Sequence, residues 1–116
     1  MKSRFQEEFF RFENLVRAAQ QLPSFPKLDA IEKELLFFIG FAHECNMPLL
    51  IGDLLAKSEV ASQATIHGRL GMLYKKQLIK WQSDSDGRKK YAVPTSKGVA
   101  YFSRIGECVY KAAIEK

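Results

Sequence analysis

The sequence predicts a mainly α fold with one small β-hairpin. Three observations predict it. Apolar residues recur at three- and four-residue steps over most of the chain, the period of an amphipathic helix. The middle is broken by Asn46-Met-Pro48 and by Ser58–Ala61 into helix, turn and helix. Past it, Leu78-Ile-Lys-Trp-Gln82 and Tyr91-Ala-Val93 are β-prone, and Asp86-Gly87 between them tolerates the positive φ of a tight turn. A length of 116 residues fits a single domain, residues 1–116, around one core. Its parts are a first helix over 3–22, a core over 28–94 and a last helix over 95–115.

Residues 3–22 read as the first helix. Phe5, Phe9, Phe12, Val16 and Ala19 step by 4, 3, 4 and 3, which lines five apolar side chains along one seam. Pro23 and Pro26 stop it and leave Pro23-Ser-Phe-Pro26 as an extended linker. Such a helix is marginal alone, so its phenylalanines need a partner surface on this chain or on a second copy.

Asp29 opens the second helix, with Glu32 at the spacing of a capping box. Ile31, Leu35, Leu36, Phe38, Ile39 and Ala42 form a face broad enough for a central helix, which Asn46 and Pro48 end. Leu50 to Lys57 reads as a short helix with Leu50, Leu54 and Leu55 inward. Ser62 then caps a helix over 62–76, and Ile66, Leu70 and Leu73 give it one buried stripe. After the hairpin, Thr95 caps a final helix to about Ile114. Its Val99, Phe102, Gly106, Val109 and Ala113 step by 3, 4, 3 and 4, with Gly106 allowing close approach. One chain of this length has little core left to cover two such seams. Phe5, Phe9, Phe12, Val16, Val99, Phe102, Gly106 and Val109 are therefore the expected interface of a two-fold homodimer.

Charge is concentrated. The chain is +5 with a pI near 9.3. Between His67 and Lys97 stand Arg69, Lys75, Lys76, Lys80, Arg88, Lys89, Lys90 and Lys97 against Asp84 and Asp86 only, a surplus of six, so the remainder sums to −1. A surplus confined to one helix and the adjacent ribbon points to a surface that faces nucleic-acid phosphates, the alternative being a solvated basic face. With Ile66, Leu70 and Leu73 inward, Ala64, Gly68, Gly71 and Lys75 face outward, flanked by Gln63, Thr65, His67, Arg69 and Met72. Gln63, Thr65 and His67 both donate and accept, which suits them to base edges. Arg69 either reaches bases or phosphate or covers the helix with its stem. Ser62, Gln63, Thr65, His67, Arg69 and Lys75 are the helical candidates for DNA contact. Each helical glycine costs roughly 1 kcal/mol against alanine. Gly68 and Gly71 therefore reflect either a close backbone approach or drift on a surface. Arg88, Lys89 and Lys90 are the candidates at the hairpin tip, with Arg88 and Lys90 on one side by alternation and Lys89 on the other. The planar fork of Arg88 suits phosphate oxygens, and Asp84 and Asp86 orient the loop.

Several motifs share a source. They are Ser-x-x-Thr-Ile at 62–66, Leu73 with Lys75-Lys76, Leu78-Ile79, Asp86-Gly-Arg-Lys-Lys-Tyr91 and Pro94-Thr-Ser-Lys-Gly98. In these residues the chain resembles the winged helix-turn-helix of the MarR family of bacterial transcription regulators. The likeness lies in the motifs of 62–98 and in the pattern of the helical flanks. The chain departs at Gly68, where the family often has arginine, and at Gln77, where it often has glycine. The resemblance implies a winged helix-turn-helix with N- and C-terminal dimerisation helices, acting as a sequence-specific DNA-binding regulator. Residues 62–76 would enter the major groove and 84–90 would form a wing on the backbone or minor groove. It also implies a small-molecule effector acting from a cleft near the dimer helices. The alternative is a winged-helix module that binds protein, with weak or no DNA binding, in which the glycines mark lost contacts.

Other classes find little support. No apolar run approaches the ~18 residues of a membrane span. The N-terminus lacks the order of a signal peptide, because Phe9-Phe10 is flanked by Glu7, Glu8 and Arg11. A cytoplasmic protein without a membrane partner is expected. His43-Glu44-Cys45 has metal-ligand types, but His43 and Cys45 point different ways on a helix. No Cys-x-x-Cys, His-Glu-x-x-His or glycine-rich phosphate loop is present. The expectation is no catalytic site, no metal and no cofactor. Cys45 and Cys108 are expected to be free thiols packed inside helices.

Overall fold

The computed structural model describes residues 4–114. It comprises α1 (Arg4–Gln20), α2 (Ala30–Glu44), β1 (Leu49–Leu50), α3 (Ile51–Leu55), α4 (Gln63–Lys75), β2 (Ile79–Ser83), β3 (Lys90–Pro94) and α5 (Ser96–Ile114). The expected beginning at residue 3 and end at residue 115 lie outside the described residues. The chain forms two compact units, Leu28–Val99 and the segments on either side of it.

The central unit is a winged helix: helices with a small antiparallel sheet. Leu35, Leu36 and Ile39 of α2, Leu54 of α3, and Ile66 and Leu73 of α4 are fully buried together with Leu78, Ile79 and Val93. Each such side chain contributes roughly 1.5–3 kcal/mol relative to exposure. The capping box at α2 is complete: Asp29 Oδ1 accepts from Glu32 N at 2.8 Å, and Glu32 Oε1 accepts from Asp29 N at 3.0 Å. Both α2 and α4 end on a left-handed residue that is not glycine, Asn46 at φ 58° and Gln77 at φ 63°. The pattern of bonds is the same at each: Met47 N donates to Ala42 O at 2.9 Å, and Leu78 N donates to Leu73 O at 3.1 Å.

The sheet corrects two expectations. It has three strands in the order β1-β3-β2, with Leu49 opposite Ala92, Leu50 opposite Tyr91 and Trp81 opposite Ala92. Leu50 therefore belongs to a strand, and the short helix begins one residue later. Two residues are too few to display a period of two, so β1 had no signature to read. The hairpin is also looser than a two-residue turn. Its loop runs over 84–89 and is closed by Asp84 N donating to Lys89 O at 3.1 Å, with Gly87 at φ 75°.

Thr95 joins the end of β3 to α5. Its hydroxyl accepts from Gly98 N at 3.1 Å and donates to Gln77 O at 2.6 Å. A side chain at Gly98 would overlap the Leu78 carbonyl oxygen, so glycine is required there for space.

In the other unit, α1 and the later part of α5 bury Ala19, Tyr101, Cys108 and Ala112. Arg11 Nε donates to Ala112 O at 3.1 Å, and burial raises the Tyr101 phenol above its ordinary pKa. Pro23-Ser-Phe-Pro26 is turned, not extended. Phe25 N donates to Leu22 O at 3.0 Å, because Pro23 presets the second position of a turn, and the Phe25 ring lies 5.4 Å from that of Tyr101. The face of α5 covered by its own chain carries Tyr101, Cys108 and Ala112. The expected seam lies elsewhere: Val99, Gly106 and Val109 are exposed and Phe102 is half-buried. On α1, Phe5 and Phe9 are exposed while Phe12 and Val16 are half-buried. Both cysteines are free, but only Cys108 is buried. Cys45 is exposed because it is the C-cap of α2, where the helix has run past the core.

Candidate nucleic-acid interface

The N-terminus of α4 is built by a reciprocal cap. Ser62 Oγ accepts from Thr65 N at 3.2 Å and donates to Thr65 Oγ1 at 2.9 Å. Thr65 is half-buried by this role. Gln63, Ala64, His67, Gly68, Gly71 and Lys75 form the exposed face, as the 100° spacing requires. A Cβ placed at Gly68 or Gly71 would meet nothing within 4 Å. Packing inside the chain therefore does not call for glycine at either position.

The N-cap and first turn of α2 supply carboxylates that the charge count along 67–97 did not include. Arg69 Nε bonds Asp29 Oδ2 at 2.6 Å, and Lys76 Nζ bonds Glu32 Oε2 at 2.6 Å. Lys97 Nζ also donates to Lys76 O at 3.2 Å. Counting Asp29 and Glu32 lowers the local surplus from six to four. Glu32 is 4% exposed, with one oxygen on its own helix cap and the other on the exit of α4. The Asp29 carboxyl is held below the usual carboxylate range, first by the Glu32 backbone N–H and then by Arg69. Arg69 thus fastens α4 to α2 through Nε, a use outside both sequence readings. The capping box was visible in the sequence, but its second set of partners lies far along the chain.

The wing is attached to α4 by a ring stack that sequence reasoning missed. The Trp81 and Tyr74 planes are 12° from parallel with centroids 6.4 Å apart. The loop beyond is organised by its own aspartates. Asp84 Oδ1 accepts from Arg88 N at 3.1 Å, and Asp86 Oδ1 accepts from Arg88 N at 3.0 Å. The Asp84 carboxyl is held below its ordinary pKa, first by its hydrogen bond with the Asp86 side chain and then by the loop N–H groups. Arg88 Nε is 3.7 Å from Asp86 Oδ2, and the Arg88 side chain is 86% exposed. Arg88 and Lys89 precede β3, so strand alternation does not govern their directions; only Lys90 lies in the strand.

No family model matches the sequence, and no curated protein does. Solved structures do match. S. aureus MepR bound to ethidium bromide aligns with 93% of this chain and 71% of its own, at 18% identity and a TM-score of 0.67. The fold is the MarR-type winged helix. A MarR-like transcriptional regulator from Thermotoga maritima aligns with 100% of this chain and 84% of its own, at 18% identity and a TM-score of 0.59. The adhesin competence repressor of Streptococcus pyogenes aligns with 96% and 75%, at 18% identity and a TM-score of 0.51. In this MarR-type frame, α3 and α4 are the helix-turn-helix and β2 with β3 is the wing. Gln63, His67 and Lys75 are exposed on α4, and Arg88, Lys89 and Lys90 are exposed on the wing. Ser62 and Thr65 act in the cap, and Arg69 acts in the tie to α2.

Proposed function

We propose that the chain is a homodimeric transcription regulator that binds specific sites in double-stranded DNA. Helix α4 lies in the major groove, with Gln63 and His67 on base edges and Lys75 on phosphate. The wing lies on the backbone or minor groove through Arg88, Lys89 and Lys90. The observation that carries this reading is the division of labour on α4: one face is buried, its flank is fastened to the start of α2, and Gln63, His67 and Lys75 stand exposed on the opposite face. A MepR variant solved bound to an oligodeoxyribonucleotide supports it, at 17% identity and a TM-score of 0.62. MepR bound to ethidium bromide supports a small-molecule effector.

Self-association is supported by an exposed groove of about 320 Å³ between Phe5, Phe9 and Phe12 of α1 and Val109, Ala112 and Ala113 of α5. Light scattering should give twice the 13.3 kDa chain mass. Among the described residues no helix is long and apolar enough to cross a membrane, which accords with action in the cytoplasm.

The deciding experiment is binding to a random duplex and to a selected site over a range of salt. Neutralised phosphates release counterions, so affinity should fall steeply as salt rises. Gln63→Ala or His67→Ala should cost roughly 1–3 kcal/mol on the selected site and little on random DNA. The rival, a protein-binding winged helix, is favoured by Phe37 and Phe41, which stack at 5.7 Å on an exposed face of α2. Absence of salt-dependent duplex binding would leave that rival standing.

A further inference from the structure

Helix α4 has two flanks, and a different device fastens each. On one flank Arg69 and Lys76 reach Asp29 and Glu32. On the other, the Tyr74 ring, 53% exposed, stacks on the half-buried Trp81 of β2 with the planes 12° from parallel. At 100° per residue Tyr74 lies within about 20° of both Gln63 and His67 around the helix, and about 140–160° from Arg69 and Lys76. The stack is thus on the side of α4 that carries the base-edge candidates.

The wing needs such a tie. Its root is buried at Leu78, Ile79 and Val93, but Gln82, Ser83 and residues 85–90 are exposed. Strand β3 is paired on both sides, to β1 and to β2, whereas β2 is an edge strand. A two-stranded ribbon is marginal alone in water, so its direction is set where its strands are last held. Trp81 is the last residue of β2 with a half-buried side chain. From there the strand runs about 10 Å to the loop, so a tilt of about 20° would move the tip by about 3–4 Å. A phosphate contact does not survive a shift of that size, since N–H···O bonds span only about 2.7–3.2 Å.

We propose that Trp81 and Tyr74 are positioning residues for DNA binding. Their stack fixes the angle of the wing to α4, so that Arg88, Lys89 and Lys90 reach the same duplex whose bases Gln63 and His67 read. The assignment rests on the proposed function and adds the residues that couple its two DNA-contacting parts. Flatness is what the role requires. Two rings in an offset stack resist a change of angle between their planes, whereas an aliphatic side chain of similar apolarity has no plane to hold.

The experiment is a double-mutant cycle on a selected duplex and a random one at fixed salt. In the wild-type background Arg88→Ala should weaken both duplexes about fivefold. In Trp81→Leu, which keeps apolar cover but no stacking plane, the same change should cost less than about twofold, the mark of coupled residues. Gln63→Ala should keep its full effect on the selected duplex in both backgrounds, which a general loss of folding would not allow. Tyr74→Leu, made at an exposed helical position, should behave as Trp81→Leu does. Trp81→Phe should restore the cost of Arg88→Ala. Without DNA, backbone amide relaxation should show residues 82–90 more mobile in Trp81→Leu, with α4 unchanged. An equal cost of Arg88→Ala in both backgrounds, or unchanged relaxation over 82–90, would overturn the proposal and leave the regulator reading intact. A wild-type chain with no salt-dependent duplex binding would overturn both.

Discussion

The exit of α4 and the tip of the wing are both basic, but their charges are held differently. Midway along α4 and at its exit, Arg69 and Lys76 reach carboxylates at the start of another helix, and one of these, Glu32, is buried. At the tip, Arg88 has Asp86 two residues away, and both side chains are more than half exposed. The first arrangement fastens two helices of the core. The second shapes a loop and leaves the guanidinium in water, where exchanging Asp86 for a phosphate costs little, since such surface pairs contribute about 0–1 kcal/mol. A basic side chain near a presumed DNA surface is therefore informative only once its own partner is known.

The comparison breaks most readily at Glu32. Glu32→Ala removes the group that takes both the Asp29 N–H and the Lys76 ammonium, and should lower stability by about 2–3 kcal/mol. An unchanged urea midpoint would mean that the Glu32 contacts do not hold the exit of α4. At the wing tip the effect should appear in binding instead. Arg88→Ala should weaken selected and random duplexes alike by about 1 kcal/mol, and flatten the salt slope by about one unit. Its thermal midpoint should match wild type; a lowered midpoint would show the tip to be as structural as the exit.

Two smaller effects sharpen the description of the exit. Gln77 is left-handed at φ 63°, a conformation that disfavours a side chain. Gln77→Gly should stabilise by about 0.5 kcal/mol, the difference between relieved strain and added unfolded-state entropy. A loss of stability would show that the glutamine side chain has a role at the helix end. Acid provides the last test. The Asp29 carboxyl is lowered by the Glu32 N–H first and by Arg69. Its contribution should be whole above the unfolded value of ~3.9 and disappear as pH falls through the lower folded value. Urea midpoints of wild type and Asp29→Asn should therefore converge between about pH 5 and pH 2. A gap that persists undiminished would assign the difference to geometry and not to charge.

Much of the fold was legible because its signals are local. Ser62, Asp29 with Glu32, and Thr95 act on N–H groups within three residues, and the structure has all three caps. The stripe Ile66, Leu70 and Leu73 is a property of one helix, and it is buried. The candidate site was legible as a set of exposed positions, Gln63, His67 and Lys75 on α4 and Arg88 to Lys90 on the wing. Less of it was legible as chemistry, because Thr65 and Arg69 turned out to have partners of their own.

The sequence by itself determined the helices, their caps, the exposed line of α4 and the existence of the wing, since each depends on spacing within a few turns of chain. Tertiary structure alone decided that β1 pairs with β3, that Trp81 stacks on Tyr74, and that Asp29 and Glu32 fasten α4. It also decided which face of α5 its own chain covers. Tyr101, Cys108 and Ala112 compete for burial with Val99, Phe102 and Val109, and both sets have helical spacing. Periodicity identifies a face that is able to be buried, but the choice between two such faces depends on the helix that meets it.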